Sequence, residues 1–129
     1  KYNKKKRFGK SLGNKAPSMF LTMLDNKLKC NGEMLYKINT FKCKCSQYNH
    51  FDNNYNKKGL NDRWNNDINI QRDMYSAFLI MNVNEDLESI NRDKCFKNYD
   101  NFKALHDKEI QRLKELKSNG KKIISSMGI

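Results

Sequence analysis

Apolar side chains at Met19, Phe20, Met23, Leu24 and Leu28 recur every three or four residues, the period of one helix face. Pro17 suits a first helical turn and Asn31-Gly32 a stop, so the spacing predicts a helix over about residues 17–30. From Glu33 to Phe41 the period shortens to two. Met34, Tyr36, Ile38 and Thr40 alternate with Leu35, Lys37, Asn39 and Phe41, which predicts a half-buried strand. Residues 46–70 are dominated by Asn, Asp, Lys and Gly, with Phe51, Leu60, Trp64, Ile68 and Ile70 as scattered apolar positions, and read as a long polar insertion. Helical spacing returns with Met74, Ala77, Phe78 and Met81, predicting a short helix over 73–81, then a further turn of helix holding Leu87 and Ile90. The last element is an amphipathic helix over about 95–118, carrying Phe96, Tyr99, Phe102, Leu105, Ile110, Leu113 and Leu116 and ended by Gly120. Residues 1–15, basic and without apolar period, read as an arm. The expected class is α/β: helix-rich, with few strands and a long polar insertion.

Charge adds a direction to this pattern. Of 129 residues, 26 are Lys or Arg and 14 Asp or Glu, a net charge of +12. The length suits one compact domain, and the excess charge is uneven: residues 1–45 carry +10, 46–94 carry −2 and 95–129 carry +4. Lys outnumbers Arg 21 to 5 and Asn occurs 19 times, a bias an AT-rich genome would produce, but such drift would spread Lys evenly. The clustering instead suggests a polyanion-facing N-terminal third, with Lys4, Lys5, Lys6, Arg7, Lys10 and Lys15 as nucleic-acid-binding candidates. No run is apolar enough for a membrane span, and no apolar stretch follows the basic N-terminus as in a secretory signal. The four cysteines then read as reduced thiols in a cytoplasmic protein. The absence of an initiating Met suggests a processed product or a piece of a longer chain.

Asp73 is the leading chemical candidate. It follows Arg72 and opens an apolar helix, where a carboxylate meets the positive end of the helix dipole. Its ordinary role there is an N-cap; its functional role would be a Mg²⁺ ligand in a phosphodiester-cleaving site, which needs further carboxylates. Cys43-x-Cys45 with His50, Cys30 or Cys95 lacks the paired two-to-four-residue spacing of zinc sites, so buried thiols, a surface His50 and no zinc are expected. Trp64 suits either stacking on a base or anchoring the insertion to the core. Neither standard glycine-rich phosphate loop is present.

The order of features resembles the C-terminal third of the OrfB-type (TnpB) transposon-associated nucleases, RNA-guided relatives of the type V CRISPR effectors. The matching pieces are basic Lys4–Lys10, the helix around Phe20–Leu28, the strand Met34–Phe41, the pair Ser46-Gln47, and Gln71-Arg72-Asp73 with Ser76-Ala77. They span about residues 8–82. The resemblance implies the C-terminal portion of an RNase H-like (RuvC-like) fold: a basic arm over 1–15, a RuvC-like segment over 16–82 with a ribbon-like insertion at 46–70, and a helical extension over 83–129. It implies that Asp73 is the third acid of a Mg²⁺ site, that Gln47 and Arg72 contact nucleic acid, and that DNA and a guide RNA are partners. The chain departs from the family in two places. Gln71 stands where the family has its first Asp, and residues 48–70 lack the ribbon cysteines, which makes the zinc ribbon degenerate. The other two acids would lie upstream of Lys1. The chain thus reads as a fragment or degenerate form of a transposase-type DNA endonuclease, active only when joined to an N-terminal part. The alternatives are a non-catalytic basic DNA- or RNA-binding module and an interaction protein that docks through the 95–118 helix.

Overall fold

The computed structural model describes residues 16–59 and 61–129, and the chain divides into two units, residues 1–37 and 38–129. The expected basic arm, with Lys4, Lys5, Lys6, Arg7, Lys10 and Lys15, lies outside the described residues.

In the first unit, helix α1 covers Pro17–Cys30, with Pro17 in the first turn where its missing N–H breaks no bond. The helix ends as the sequence predicts. Asn31 and Glu33 N–H both donate to Leu28 C=O and Gly32 N–H to Lys29 C=O, with Gly32 at φ 74, a conformation glycine adopts without strain. Asp25 pairs with Lys29 at 2.8 Å and accepts the Leu35 N–H at 3.2 Å, and these two partners hold its carboxyl below the usual range. No residue of α1 is buried.

The expected strand over 33–41 does not form. Thr40–Cys43 is instead a single helical turn, α2. Local chemistry decides the outcome: Asn39 Oδ1 caps the Lys42 N–H at 3.2 Å, while the Asn39 N–H donates to Leu87 C=O at 2.7 Å. Alternation alone makes no strand without a ladder partner, and among the described residues none pairs here. Phe41 is accordingly 88% exposed.

The second unit holds the core. The insertion expected to be a structureless stretch forms two short antiparallel hairpins, β1 (Tyr48–Asn49) with β2 (Asn54–Tyr55), and β3 (Trp64–Asn65) with β4 (Ile70–Gln71). Its Asn and Asp residues are turn formers: Asn49 Oδ1 accepts the Phe51 N–H, Asp52 Oδ1 the Asn54 N–H, and Asn53 and Asn69 take positive φ. Helices α3 (Arg72–Met81) and α4 (Arg92–Ser118) follow. The turn of helix expected at Leu87 and Ile90 is absent. Val83 bridges to Ile90, and the loop between them turns at Leu87, φ 57.

Cys43, Cys45, Tyr48, Ile70, Tyr75, Phe78, Leu79 and Cys95 form one buried cluster, with Tyr99 and Phe102 of α4 packed against it. Phe78 and Phe102 stack with ring centroids 4.4 Å apart, a pair worth about 0.5–1.5 kcal/mol beyond area burial. The 3₁₀ turn Ser125–Met127 returns to this core, where Trp64 Nε1–H donates to Met127 and Gly128 C=O. A Cβ on Gly128 would sit 2.7 Å from Arg63 Cβ, so this close approach requires glycine. The architecture is helix-rich with a few short antiparallel strands. Among the described residues no helix is long and apolar enough to cross a membrane.

Candidate nucleic-acid interface and metal carboxylate

The start of α3 carries the candidate chemistry, and the capping role expected of Asp73 belongs to Gln71. Gln71 is fully buried: its Oε1 accepts the Met74 N–H at 2.8 Å and its Nε2 donates to Ser126 C=O at 3.1 Å. Its own N–H donates to His106 Nε2 at 3.1 Å. A Gln at this position satisfies an orphan helix donor and ties the helix to the C-terminal turn, which a shorter Asp could not reach.

Asp73 therefore makes no capping bond. Its side chain is 59% exposed in the first turn of α3, with Arg72 Nε 3.6 Å from Oδ1. Arg72 itself is braced against the loop before β3: Nη1–H donates to Gly59 C=O at 3.0 Å, and its N–H to Arg63 C=O at 2.9 Å. Gln47, the other predicted contact residue, follows α2 in the turn leading to β1. Its N–H donates to Lys44 C=O at 2.8 Å and its C=O accepts the Asn56 N–H at 2.8 Å. Among the described residues no group of three His, Cys, Asp or Glu side chains is arranged to hold a metal ion.

Both histidines are buried, so the expectation of a surface His50 is overturned. His50 is enclosed by the rings of Phe51, Tyr75, Phe78, Phe96 and Tyr99. The Tyr75 hydroxyl accepts the His50 N–H at 3.1 Å and lies 2.7 Å from Nδ1, to which it can donate. The Arg92 guanidinium fastens the same turn by donating to His50 and Phe51 C=O, each at 2.7 Å. Burial, with a smaller contribution from Arg92, lowers the His50 pKa to about 4, so the ring is neutral at pH 7. Burial likewise raises the Tyr75 hydroxyl. His106 presents Nε2 as acceptor to the Gln71 N–H and has Nδ1 2.8 Å from Asp107 Oδ1, which fixes the Nδ1–H tautomer.

Cys43, Cys45 and Cys95 are buried free thiols, as expected, whereas Cys30 is exposed. Cys43 closes α2 and Cys45 follows it. Burial pushes the Cys45 and Cys95 thiols up to about 11 and raises Cys43 as well, leaving all three protonated at neutral pH. Trp64 anchors the second hairpin through its bonds to the C-terminal turn.

The sequence carried one readable sign of His106: Phe102, His106 and Ile110 lie four residues apart on the apolar face of α4. His50 had none, because its neighbours come from three separate stretches of chain. Compared with known proteins, the chain matches no family model, and neither a curated protein nor a solved structure shows significant similarity to it.

Proposed function

We propose that the chain is the C-terminal segment of an RNase H-like, transposase-type DNA endonuclease, or a degenerate form of one, which binds nucleic acid and contributes Asp73 as one Mg²⁺-binding carboxylate. The observation that carries the reading is the division of labour at α3. Gln71 caps the helix, so the exposed carboxylate two residues on gives no capping bond and keeps only a 3.6 Å ion pair with Arg72. A carboxylate that is more than half exposed at the positive end of a helix is open to a hard cation.

The residues described do not complete a Mg²⁺ site, since one carboxylate supplies too few ligands. The remaining acids therefore come from sequence outside these residues, and no chemical step is assigned to this chain alone. What the chain does by itself is bind. Its net charge of +12, of which +10 lies in residues 1–45, attracts phosphate and releases counterions. In the full assembly DNA is the substrate, and a guide RNA is the second polyanion that the basic surface would engage.

The test is a salt titration of DNA binding by the chain, with and without Mg²⁺. Affinity should fall steeply, with a log–log slope of about −0.9 per neutralised phosphate on duplex DNA. No Mg²⁺-dependent cleavage should appear, and Asp73→Ala should leave affinity unchanged. A flat salt response would remove the nucleic-acid reading. Restoration of the upstream sequence without any cleavage would leave the non-catalytic binding module.

A further inference from the structure

A recess of about 190 Å³ opens beside the start of α3, lined by residues of both hairpins. Its polar lining is dominated by the amides of Gln47, Asn49, Asn56 and Asn65. Tyr48 and Ile68 supply apolar wall, and Lys58, bonded through Nζ to Asn65 Oδ1, stands at the same recess. A cavity of about 150 Å³ holds a benzene ring, so this one has room for a single heteroaromatic ring system and not for a whole nucleotide.

Hydrogen-bonding capacity inside the recess is unspent. Asn49 Oδ1 accepts the Phe51 N–H and Asn65 Oδ1 accepts from Lys58. Among the described residues, nothing engages the Nδ2 of either, nor the side-chain amides of Gln47 and Asn56. Primary amides offer donor and acceptor in one plane, the pattern that complements the edge of a nucleobase. The charged lining is one Lys58 and one Asp67, a balance that suits a neutral polar ring better than a phosphate.

Two hydrogen bonds tie the stretches that line the recess to helix α3. Ser76, one turn beyond Asp73, donates to Cys45 C=O at 3.4 Å, and the following Ser46 lines the recess. The Arg72 guanidinium donates to Gly59 C=O, the residue after Lys58. We infer that this recess is a subsite for one unstacked nucleobase of a single-stranded nucleic acid, gripped by its hydrogen-bonding edge beside helix α3. The inference rests on the nuclease-segment reading and adds to it the state of the strand: a recessed site reaches base edges only after the base has left the stack. A base anchored here would hold the adjoining phosphodiester against the face of α3 that carries Asp73.

The experiment measures anisotropy with three labelled probes: a thymidine oligonucleotide, its uridine RNA counterpart and an abasic DNA strand of equal length. The wild-type chain should bind both base-bearing strands roughly tenfold more tightly than the abasic strand. Asn56→Ala should reduce that advantage several-fold and leave abasic binding unchanged, and Gln47→Ala should weaken binding of both base-bearing strands. Both side chains lack partners among the described residues, so thermal unfolding should not move; if Gln47→Ala fails to fold, Asn56→Ala carries the test. A DNA-only or RNA-only advantage identifies which strand supplies the base. Equal binding of base-bearing and abasic strands, or a base advantage insensitive to both substitutions, would overturn the subsite and leave nucleic-acid binding standing. No binding to any probe would overturn both.

Discussion

Replacing Gln71 by Ala should destabilise the fold far more than replacing Asp73, although Asp73 sits in the position where sequence alone expects the cap. Gln71→Ala removes the bond to the Met74 N–H, a cap worth about 0.5–2 kcal/mol. It also strands the Ser126 carbonyl, at roughly 1 kcal/mol for a lost neutral hydrogen bond, and empties the space of a fully buried side chain at about 0.8 kcal/mol per methylene. Together these come to about 3 kcal/mol, or roughly a hundredfold in the folding equilibrium. Asp73→Ala removes an exposed side chain whose nearest charge is 3.6 Å away, so its cost should stay within about 0.5 kcal/mol. Urea unfolding followed by far-ultraviolet circular dichroism measures both. Gln71→Leu separates bonding from volume: it restores the packing but not the bonds, and should recover only the cavity share. If Asp73→Ala costs as much as Gln71→Ala, the capping assignment is wrong and the exposed carboxylate is structural.

Three further outcomes follow from the buried groups. His50 has a folded pKa of about 4, below the 6.5 of an unhindered histidine, so the unfolded chain takes up its proton first. The stability contributed by neutral His50 is complete above about pH 6.5 and declines toward pH 4, by about 2 kcal/mol between pH 7 and 5; His50→Gln should flatten that decline in urea titrations. An aromatic disulfide reagent should label one thiol, Cys30, in the native chain and four after unfolding; rapid native labelling of Cys45 or Cys95 would contradict their burial. Elemental analysis of the purified chain should find no stoichiometric zinc, because Cys43-x-Cys45 lacks the paired two-to-four-residue spacing of zinc sites; one zinc per chain would overturn this.

The three longer helices were legible because each repeats its period over enough residues to be recognised, and Pro17, Asn31-Gly32 and Gly120 mark ends that the structure keeps. The hairpins were not legible. Strands of two residues, such as Trp64–Asn65 against Ile70–Gln71, are too short to show alternation, and their Asn-rich turns resemble an unstructured insertion in composition. The reverse error occurred at 33–41, where alternation was present but no partner strand exists among the described residues. At the candidate site, Asp73 and Arg72 could be singled out from local order along the chain. The roles of Gln71, His50 and His106 could not, because each is defined by bonds to residues 25 to 55 positions away. Gln71 is wholly enclosed, and its bonds to the Met74 N–H and the Ser126 carbonyl give a direct physical reason for glutamine at this position.

If Asp73 serves chemistry and not the fold, Asp73→Asn separates the two. Asn keeps the size and polarity of the side chain but is a neutral, weaker ligand for a hard cation. The substitution should be made in a longer protein that unites this chain with the further carboxylates the proposal requires, with Mg²⁺-dependent DNA cleavage and thermal unfolding measured on the same sample. Cleavage is expected in the wild type and lost in Asp73→Asn, with an unchanged unfolding temperature. Cleavage persisting at the wild-type rate in Asp73→Asn would contradict a chemical role for Asp73.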